Sequence, residues 1–397
     1  MAKGMRFLHL ADLHIGFRVT RFDERTAGKL REARFQALDN AIQVAEKRDA
    51  DFILIAGDLF DDNGVSAADA TRAFSMLEHR PMPVYVLPGN HDPHCAGSVW
   101  QRDPWAGSGG TSIRLLVRPE PTEVDESTVL LPCPVTTNRS SHDPTDWVTP
   151  ASGKDRIRII AAHGTVMDRE PLPPDDHPIP ADAPDARAVD YIALGHWHSP
   201  RTFRARDGAA RMAYAGTSEQ MSFADGVDTG WREYSSDPEC GEFLGACKGG
   251  AFIVQIAAPG AAPSVEPVDI GHYAWIEETA EVSDDTFGDL FSSVARRPDP
   301  DRVLLRLRLS GVLSIENMVL LESFEQMLNR YFYHEVESKG LHIKPEPAKI
   351  AEVEGAGLLR QAWNRLQKRA EAEPLEQQRV TERAMLLLYQ MAKEAQR

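Results

Sequence analysis

VYVLPGNHDP, residues 84–93, decides how the rest of this chain is read. Four apolar residues, Val84 to Leu87, stop at a proline. Glycine, amide, imidazole and carboxylate then follow in consecutive positions, Gly89 to Asp92. A short continuous apolar run bounded by turn residues fits a strand buried on both faces. The polar quartet therefore stands at the carboxyl end of a strand, where open α/β sheets bind their ligands.

The same pattern recurs four times. Phe7 to Leu10 is followed by Asp12-Leu13-His14, and Phe52 to Ile55 by Gly57-Asp58-Leu59-Phe60-Asp61. Ile157 to Ala162 runs into His163-Gly164, and Tyr191 to Leu194 into Gly195-His196-Trp197-His198. Helix-like spacing of Leu30, Phe35, Leu38, Ile42 and Ala45 predicts a helix over about Ala27 to Lys47, and a second is expected near Ala67 to Glu78. Strand–helix alternation makes residues 1–260 a layered α/β domain.

Imidazole and carboxylate ligands without thiolate suit Mn²⁺, Fe²⁺ or Zn²⁺. Seven such ligands are too many for one ion and fit two, which at ~3.5–4 Å apart need a shared carboxylate. In an extended turn Asp12 and His14 would share a side, as would His196 and His198.

In order, D-x-H, G-D-x-x-D, G-N-H-D, H and G-H-x-H resemble the signature of the calcineurin-like metallophosphoesterases. The resemblance implies that Asp12, His14, Asp58 and His198 hold one metal. Asp58, Asn90, His163 and His196 would hold the other, with Asp58 bridging. It brings catalytic His91 to the scissile phosphate, to protonate the leaving oxygen or stabilise the charge there, with Asp61 and Asp92 orienting ligands or His91. MRFLHLADLHIG, LIAGDLFDDNGVS, DYIALGHWHSP and YAGTSEQMSF look like the SbcD-like DNA repair nucleases or their YhaO-like branch. That implies a DNA nuclease, most simply with two Mn²⁺, acting with an SbcC-like or YhaN-like SMC-type ATPase, and it allows a homodimer. Archaeal and eukaryotic relatives often carry histidine where this chain has Asp61. A small-substrate phosphoesterase and a DNA-end-binding scaffold with weak cleavage are the competing readings.

Outside the motifs the chain is less explicit. Residues 169–188 read as a proline- and aspartate-rich loop, 225–250 as a long connection or hairpin, and 257–267 as a linker. A smaller α+β cap domain is expected over 270–345, with a strand at Val303 to Leu309 and a helix at Ile315 to Phe332. A helical tail over 350–397, broken at Pro374, places Val380, Ala384, Leu387, Leu388 and Met391 on one face. That face could pack on the chain itself or dock an ATPase.

The formal charge is -16, which opposes general polyanion binding. Arg18, Arg21, Arg25, Lys29, Arg31 and Arg34 form a local basic segment that could meet a DNA backbone or serve as an ion-paired helix face. The four cysteines include no CxxC and read as reduced thiols. No run nears the ~18–20 apolar residues of a membrane span, and the N-terminus lacks a signal-peptide pattern, so a cytoplasmic protein is expected. His9 reads as a buried structural residue. His94 could line the cleft or be exposed. Trp100, Trp105 and Trp197 could pack or stack on bases.

Overall fold

A computed structural model describes residues 4–150, 155–168, 175–223, 249–343, 357–372, 380–381, 383–385 and 387–388. The chain divides into two compact units, Met1–Ala274 and Trp275–Arg397.

The first unit is built on β1 (Met5–Leu10), β2 (Phe52–Ala56), β3 (Val84–Leu87), β4 (Ile113–Leu115), β5 (Thr122–Asp125), β6 (Thr128–Cys133) and β7 (Ile157–His163). It continues through β8 (Val166–Met167), β9 (Ile179–Pro180), β10 (Tyr191–Gly195), β11 (Arg201–Arg204), β12 (Ala210–Tyr214), β13 (Gly250–Ile256) and β14 (Ser264–Asp269). Two six-stranded sheets result, in the orders β14-β13-β1-β2-β3-β4 and β11-β12-β10-β7-β6-β5. Strands β1 to β4 run parallel, as do β6, β7, β10 and β12.

Residue alternation builds the layers. Phe7, Phe52, Leu54, Ile157, Ile159 and Tyr191 point between the sheets, where Phe7 and Phe52 stack at 4.6 Å. Leu8, Leu10, Ile53 and Ile55 point the other way, under helices α1 (Glu24–Lys47) and α2 (Ala67–Leu77). Asp23 caps α1 by accepting from Arg25 and Thr26, and Ser66 caps α2 through Asp69. Burial of β2 throughout, and of β1 except at Arg6, explains their largely apolar sequences. Among the described residues no helix is long and apolar enough to cross a membrane.

Two sequence expectations change in this unit. Residues 257–267 are not a linker throughout, because β14 pairs antiparallel with β13. Its polar, proline-bearing sequence suits a sheet edge, where Pro267 need not donate to a further strand. The loop expected over 169–188 holds β9 and a one-turn helix, α3 (Ala183–Ala186), in its described part. Most of 225–250 lies outside the described residues, as does the region of Pro374.

The second unit has a three-stranded sheet, β15 (Ala274–Val282), β16 (Val303–Leu313) and β17 (Tyr333–Ile343), ordered β15-β16-β17. Strands β16 and β17 are parallel. Helices α4 (Phe287–Ala295) and α5 (Ile315–Leu328) meet through Phe287 and Phe324. Helix α5 stops at Leu328 rather than Phe332, and Tyr331 instead bonds the Val294 carbonyl from a turn. Helix α6 (Gly357–Ala372) buries Trp363 with Met385, against Met318 and Val319 of α5. The tail therefore packs on its own unit. Its buried side carries Thr381 and Met385, whereas Val380 and Leu387 are exposed, so the expected apolar face is rotated. Met391 lies outside the described residues.

Candidate metal centre

Each of the five strand ends delivers its polar residues to one place. Asp12 and His14 follow β1, Asp58 follows β2, Asn90 and His91 follow β3, His163 ends β7, and His196 and His198 follow β10. Asp12, His14, Asp58 and His163 are fully or almost fully buried, and His91 is exposed.

The backbone does not reach this arrangement by extended turns. Asp12 (φ 53), His14 (φ 47), Asp58 (φ 51) and His196 (φ 109) all lie in the left-handed region. Such conformations cost of order 1–3 kcal/mol each and concentrate where side-chain aim matters more than local comfort. The amides of Asp12 and His14 bond the carbonyls of Gly57 and Asp58, which ties the first two loops together. A Cβ on Gly57 would come within 2.0 Å of His163 Nδ1, and one on Gly89 within 2.1 Å of Asp58 Oδ1. Both glycines are required by the packing of the candidate ligands themselves.

Three groups of ligand atoms lie mutually within 4.8 Å: Asp12, His14 and His198; His14, Asp58 and His91; and Asp12, Asp58 and His163. Asn90 Oδ1 adds a neutral oxygen 2.8 Å from His163 Nε2 and 2.9 Å from His196 Nδ1. The tautomers can be argued from the far side of each ring. His163 Nδ1 faces the Ala56 carbonyl at 3.0 Å and must donate to it. His196 Nε2 faces Asp176 Oδ2 at 2.8 Å and donates to that carboxylate. In neutral rings, His163 Nε2 and His196 Nδ1 therefore turn lone pairs toward Asn90 Oδ1. On the other side, His14 Nε2 and His198 Nε2 face each other at 3.2 Å, with Asp58 Oδ2 3.8 Å from the former. Imidazole nitrogens and carboxylate and amide oxygens thus crowd one place, the donor types that divalent cations take. The donor set fits two divalent ions, with Asp58 reaching both groups.

Electrostatics point the same way. Burial would raise Asp58, but His163, His14 and His91 hold its carboxyl well below the usual range. Burial depresses His163, but the Asp58 carboxylate outweighs it and holds the imidazole at about 9. Burial raises Asp12 and lowers His14. Buried carboxylates are costly without positive charge, so a proton on His163 does the work that a metal ion would do.

His91 stands apart. Its amide donates to Asp58 Oδ1 at 2.9 Å, and its Nδ1 donates to the Asp61 carbonyl at 2.9 Å. That leaves Nε2 as the nitrogen through which the ring can take up or give a proton. The Asp61 carboxylate lies 3.3 Å from His14 Nδ1, so Asp61 orients both rings. Asp92 is placed differently. It is fully buried and accepts from the amides of Phe60 and Gly89, which holds the turn rather than the His91 ring. Burial and the nearby Asp58 push it up to about 8, against those two amides.

Two contributors were not among the candidate ligands: Asp176 had no motif to announce it, and Thr217 lies within YAGTSEQMSF. Asp176, inside the proline-rich segment, accepts from both His196 Nε2 and the Thr165 hydroxyl, and the His196 bond draws its carboxyl down to about 2. Its only sequence signal was an Asp-Asp-His run among prolines. Thr217 donates its amide to the His198 carbonyl and its hydroxyl to the Asp12 carbonyl, both at 2.9 Å. His9 is buried against the Tyr191 hydroxyl and the Leu194 carbonyl, as expected. Trp100 and Trp105 pack with Phe60 in the core, His94 is half-buried, and Trp197 is 39% exposed.

Comparison with known proteins matches residues 5–200 to the calcineurin-like phosphoesterase family. The chain is 32% identical over 111 residues to an uncharacterized metallophosphoesterase, YhaO, of Bacillus subtilis, covering 26% of this chain and 27% of that one. It is 26% identical over 237 residues to a DNA double-strand break repair protein Mre11 of Methanococcus maripaludis, covering 56% and 60%. An Mre11 of Thermoplasma acidophilum is 35% identical over 89 residues, 21% of this chain and 22% of that protein. The matches thus span between a fifth and three-fifths of these relatives' lengths. With all five strand ends that carry candidate ligands inside the matched span, the chain carries a calcineurin-like phosphoesterase domain over residues 5–200.

Proposed function

We propose that this protein is a two-metal DNA nuclease subunit, cleaving phosphodiesters at DNA ends with Mn²⁺ in the paired site. The observation that carries the reading is the convergence of ligand atoms from Asp12, His14, Asp58, Asn90, His163, His196 and His198 on one place. The nucleic-acid substrate is supported by the Mre11 relatives, whose name assigns them to double-strand break repair.

Two divalent ions, when bound, supply Lewis-acid activation of the phosphodiester and of water. The protein's part is positional. Asp58 sits between the two ligand groups, and the carbonyls of Ala56 and Asp61 fix the proton positions of His163 and His91. His91, exposed and anchored through its Nδ1, protonates the departing oxygen from Nε2.

The acidic chain does not exclude DNA. Two ions add four positive charges at the site. Arg18, Arg21, Arg25 and Lys29 are exposed beside it in sequence, although Arg34 is withdrawn from that segment by its bond to the Leu13 carbonyl. Arg31 pairs with Glu24 and Glu32 with Arg72, so part of the helix is an ion-paired face. We assign a partner SMC-type ATPase of the SbcC or YhaN kind to the second unit, where exposed Leu320, Val380 and Leu387 offer apolar contact. A homodimer and a cytoplasmic DNA-end-processing role belong to the same reading.

The test is direct. Purified protein with Mn²⁺ is given end-labelled single- and double-stranded DNA, and in parallel a chromogenic phosphomonoester and phosphodiester. DNA cleavage that Asp58→Ala abolishes supports the nuclease. Turnover of the small esters with DNA untouched, even after adding the partner ATPase, moves the substrate to small molecules.

A further inference from the structure

We propose that Trp197 is a stacking platform for an unpaired nucleobase flanking the phosphodiester at the metal centre, and so favours single-stranded over paired ends. The inference rests on the nuclease reading above.

Trp197 is exceptional among the described tryptophans. Trp100, Trp105, Trp275 and Trp363 are 0–8% exposed and Trp147 is half-buried, whereas Trp197 is 39% exposed. It is nevertheless not loose. Its Nε1 donates to Thr165 Oγ1 at 3.2 Å, and the Thr165 hydroxyl donates to Asp176 Oδ2 at 2.7 Å. The same Asp176 oxygen accepts from His196 Nε2 at 2.8 Å. A closed hydrogen-bonded circuit thus joins the exposed indole to a candidate metal ligand, and the ring is oriented before any substrate arrives.

Position and chemistry complete the argument. Trp197 lies between two candidate ligands in sequence, and its ring centroid is 6.4 Å from that of His196 at an interplanar angle of 85°. A phosphodiester seated on the ligand cluster brings its adjacent nucleoside to this rim. An indole with its polar edge already satisfied offers an apolar face, which every base can cover regardless of sequence. A base inside a duplex is already stacked and gains less. Stacking also suits a chain of charge -16, because it needs no attraction between protein and phosphate.

The experiment is a cycle of two deletions. The wild-type cleavage position on an unpaired oligonucleotide is mapped first, and a second oligonucleotide replaces the flanking nucleotide by an abasic residue. KM and kcat are measured with Mn²⁺ for wild type, Trp197→Ala and Trp197→Phe on both. Trp197→Ala should raise KM on the intact oligonucleotide roughly tenfold, within the range of one stacked base. Trp197→Phe should recover most of the loss, and the ratio to wild type should hold across salt concentrations. On the abasic oligonucleotide, wild type should already show the raised KM, and removing the ring should add little. Equal KM values, or penalties that simply add, would overturn the assignment while leaving the nuclease intact. A wild-type protein that hydrolyses small phosphodiesters but no oligonucleotide would overturn the nuclease reading first, and the platform with it.

Discussion

Asp176 and His196 meet through a 2.8 Å hydrogen bond that fixes which nitrogen of the imidazole faces the ligand cluster. A carboxylate behind a metal-binding histidine sets its tautomer and raises its basicity. Asp176→Ala is therefore expected to weaken Mn²⁺ binding at one of two sites by roughly 10–100-fold. Asp176→Asn keeps an oxygen acceptor and should lose less. Calorimetric titration of the metal-free protein with Mn²⁺ reads this without reference to activity. Unchanged affinity in the alanine variant would leave Asp176 no role at the centre.

His91 and Asp58 should fail in different ways. His91→Gln is expected to lower kcat by about 10²–10⁴, the usual yield of a general acid, with both metals still bound. Asp58→Ala removes the carboxylate between the ligand groups and should lose metal as well as turnover. Elemental analysis beside rate measurement separates them. Metal loss in His91→Gln would place His91 among the ligands, as its grouping with His14 and Asp58 would allow.

Gly89 gives a steric test. A methyl there would sit 2.1 Å from Asp58 Oδ1 and 2.5 Å from its amide, so Gly89→Ala must displace the central carboxylate. Lost metal binding and a lower melting temperature are expected. Gly107→Ala is the control, since a Cβ there meets nothing within 4 Å. Equal behaviour of the two variants would contradict the packing described for the second loop.

His9 carries a pH dependence. Burial holds its folded pKa at about 3, below the ordinary 6.5, so the unfolded chain takes up a proton that the folded chain refuses. The resulting stability is complete above pH 6.5 and is lost as pH falls toward 3, by at most about 1.4 kcal/mol per pH unit. Urea midpoints of chelated wild type and His9→Asn across that window isolate the contribution, because asparagine does not titrate. Parallel pH profiles would show that His9 is not the group responsible.

The strand ends were legible because the signal is local. Phe52 to Ala56 is buried throughout, and the polar residues that follow could have no other destination than a sheet end. Spatial neighbours were harder. Asp176 is 20 residues from His196, and only the path of the intervening chain brings them together. β14 hid behind alanine, glycine and proline, because an edge strand needs backbone pairing more than side-chain pattern. The tail's buried side came out rotated from Val380 to Thr381 and Met385, since helical periodicity fixes a stripe only when its neighbour, here Trp363, is known. Left-handed φ at Asp12 and His14 was invisible, because propensity alone gives no reason for it.

Metal removal should destabilise the first unit. A ligand at 100 times its Kd adds about 2.7 kcal/mol, and two bound ions add more. Thermal melts with Mn²⁺ and with chelator should differ by several degrees, and Asp58→Ala should abolish the difference. Identical melts would mean that the cluster does not bind the ion.

The candidate ligands are shared between the two sheets: Asp12, His14, Asp58 and Asn90 follow strands of one, and His163, His196 and His198 belong to the other. Neither half-sandwich owns all seven. A chain emerging during synthesis, or one caught partly unfolded, would hold only part of the set. The hydrolytic capacity of such a fold is thereby conditional on its own assembly, and a damaged or unfinished copy is chemically silent.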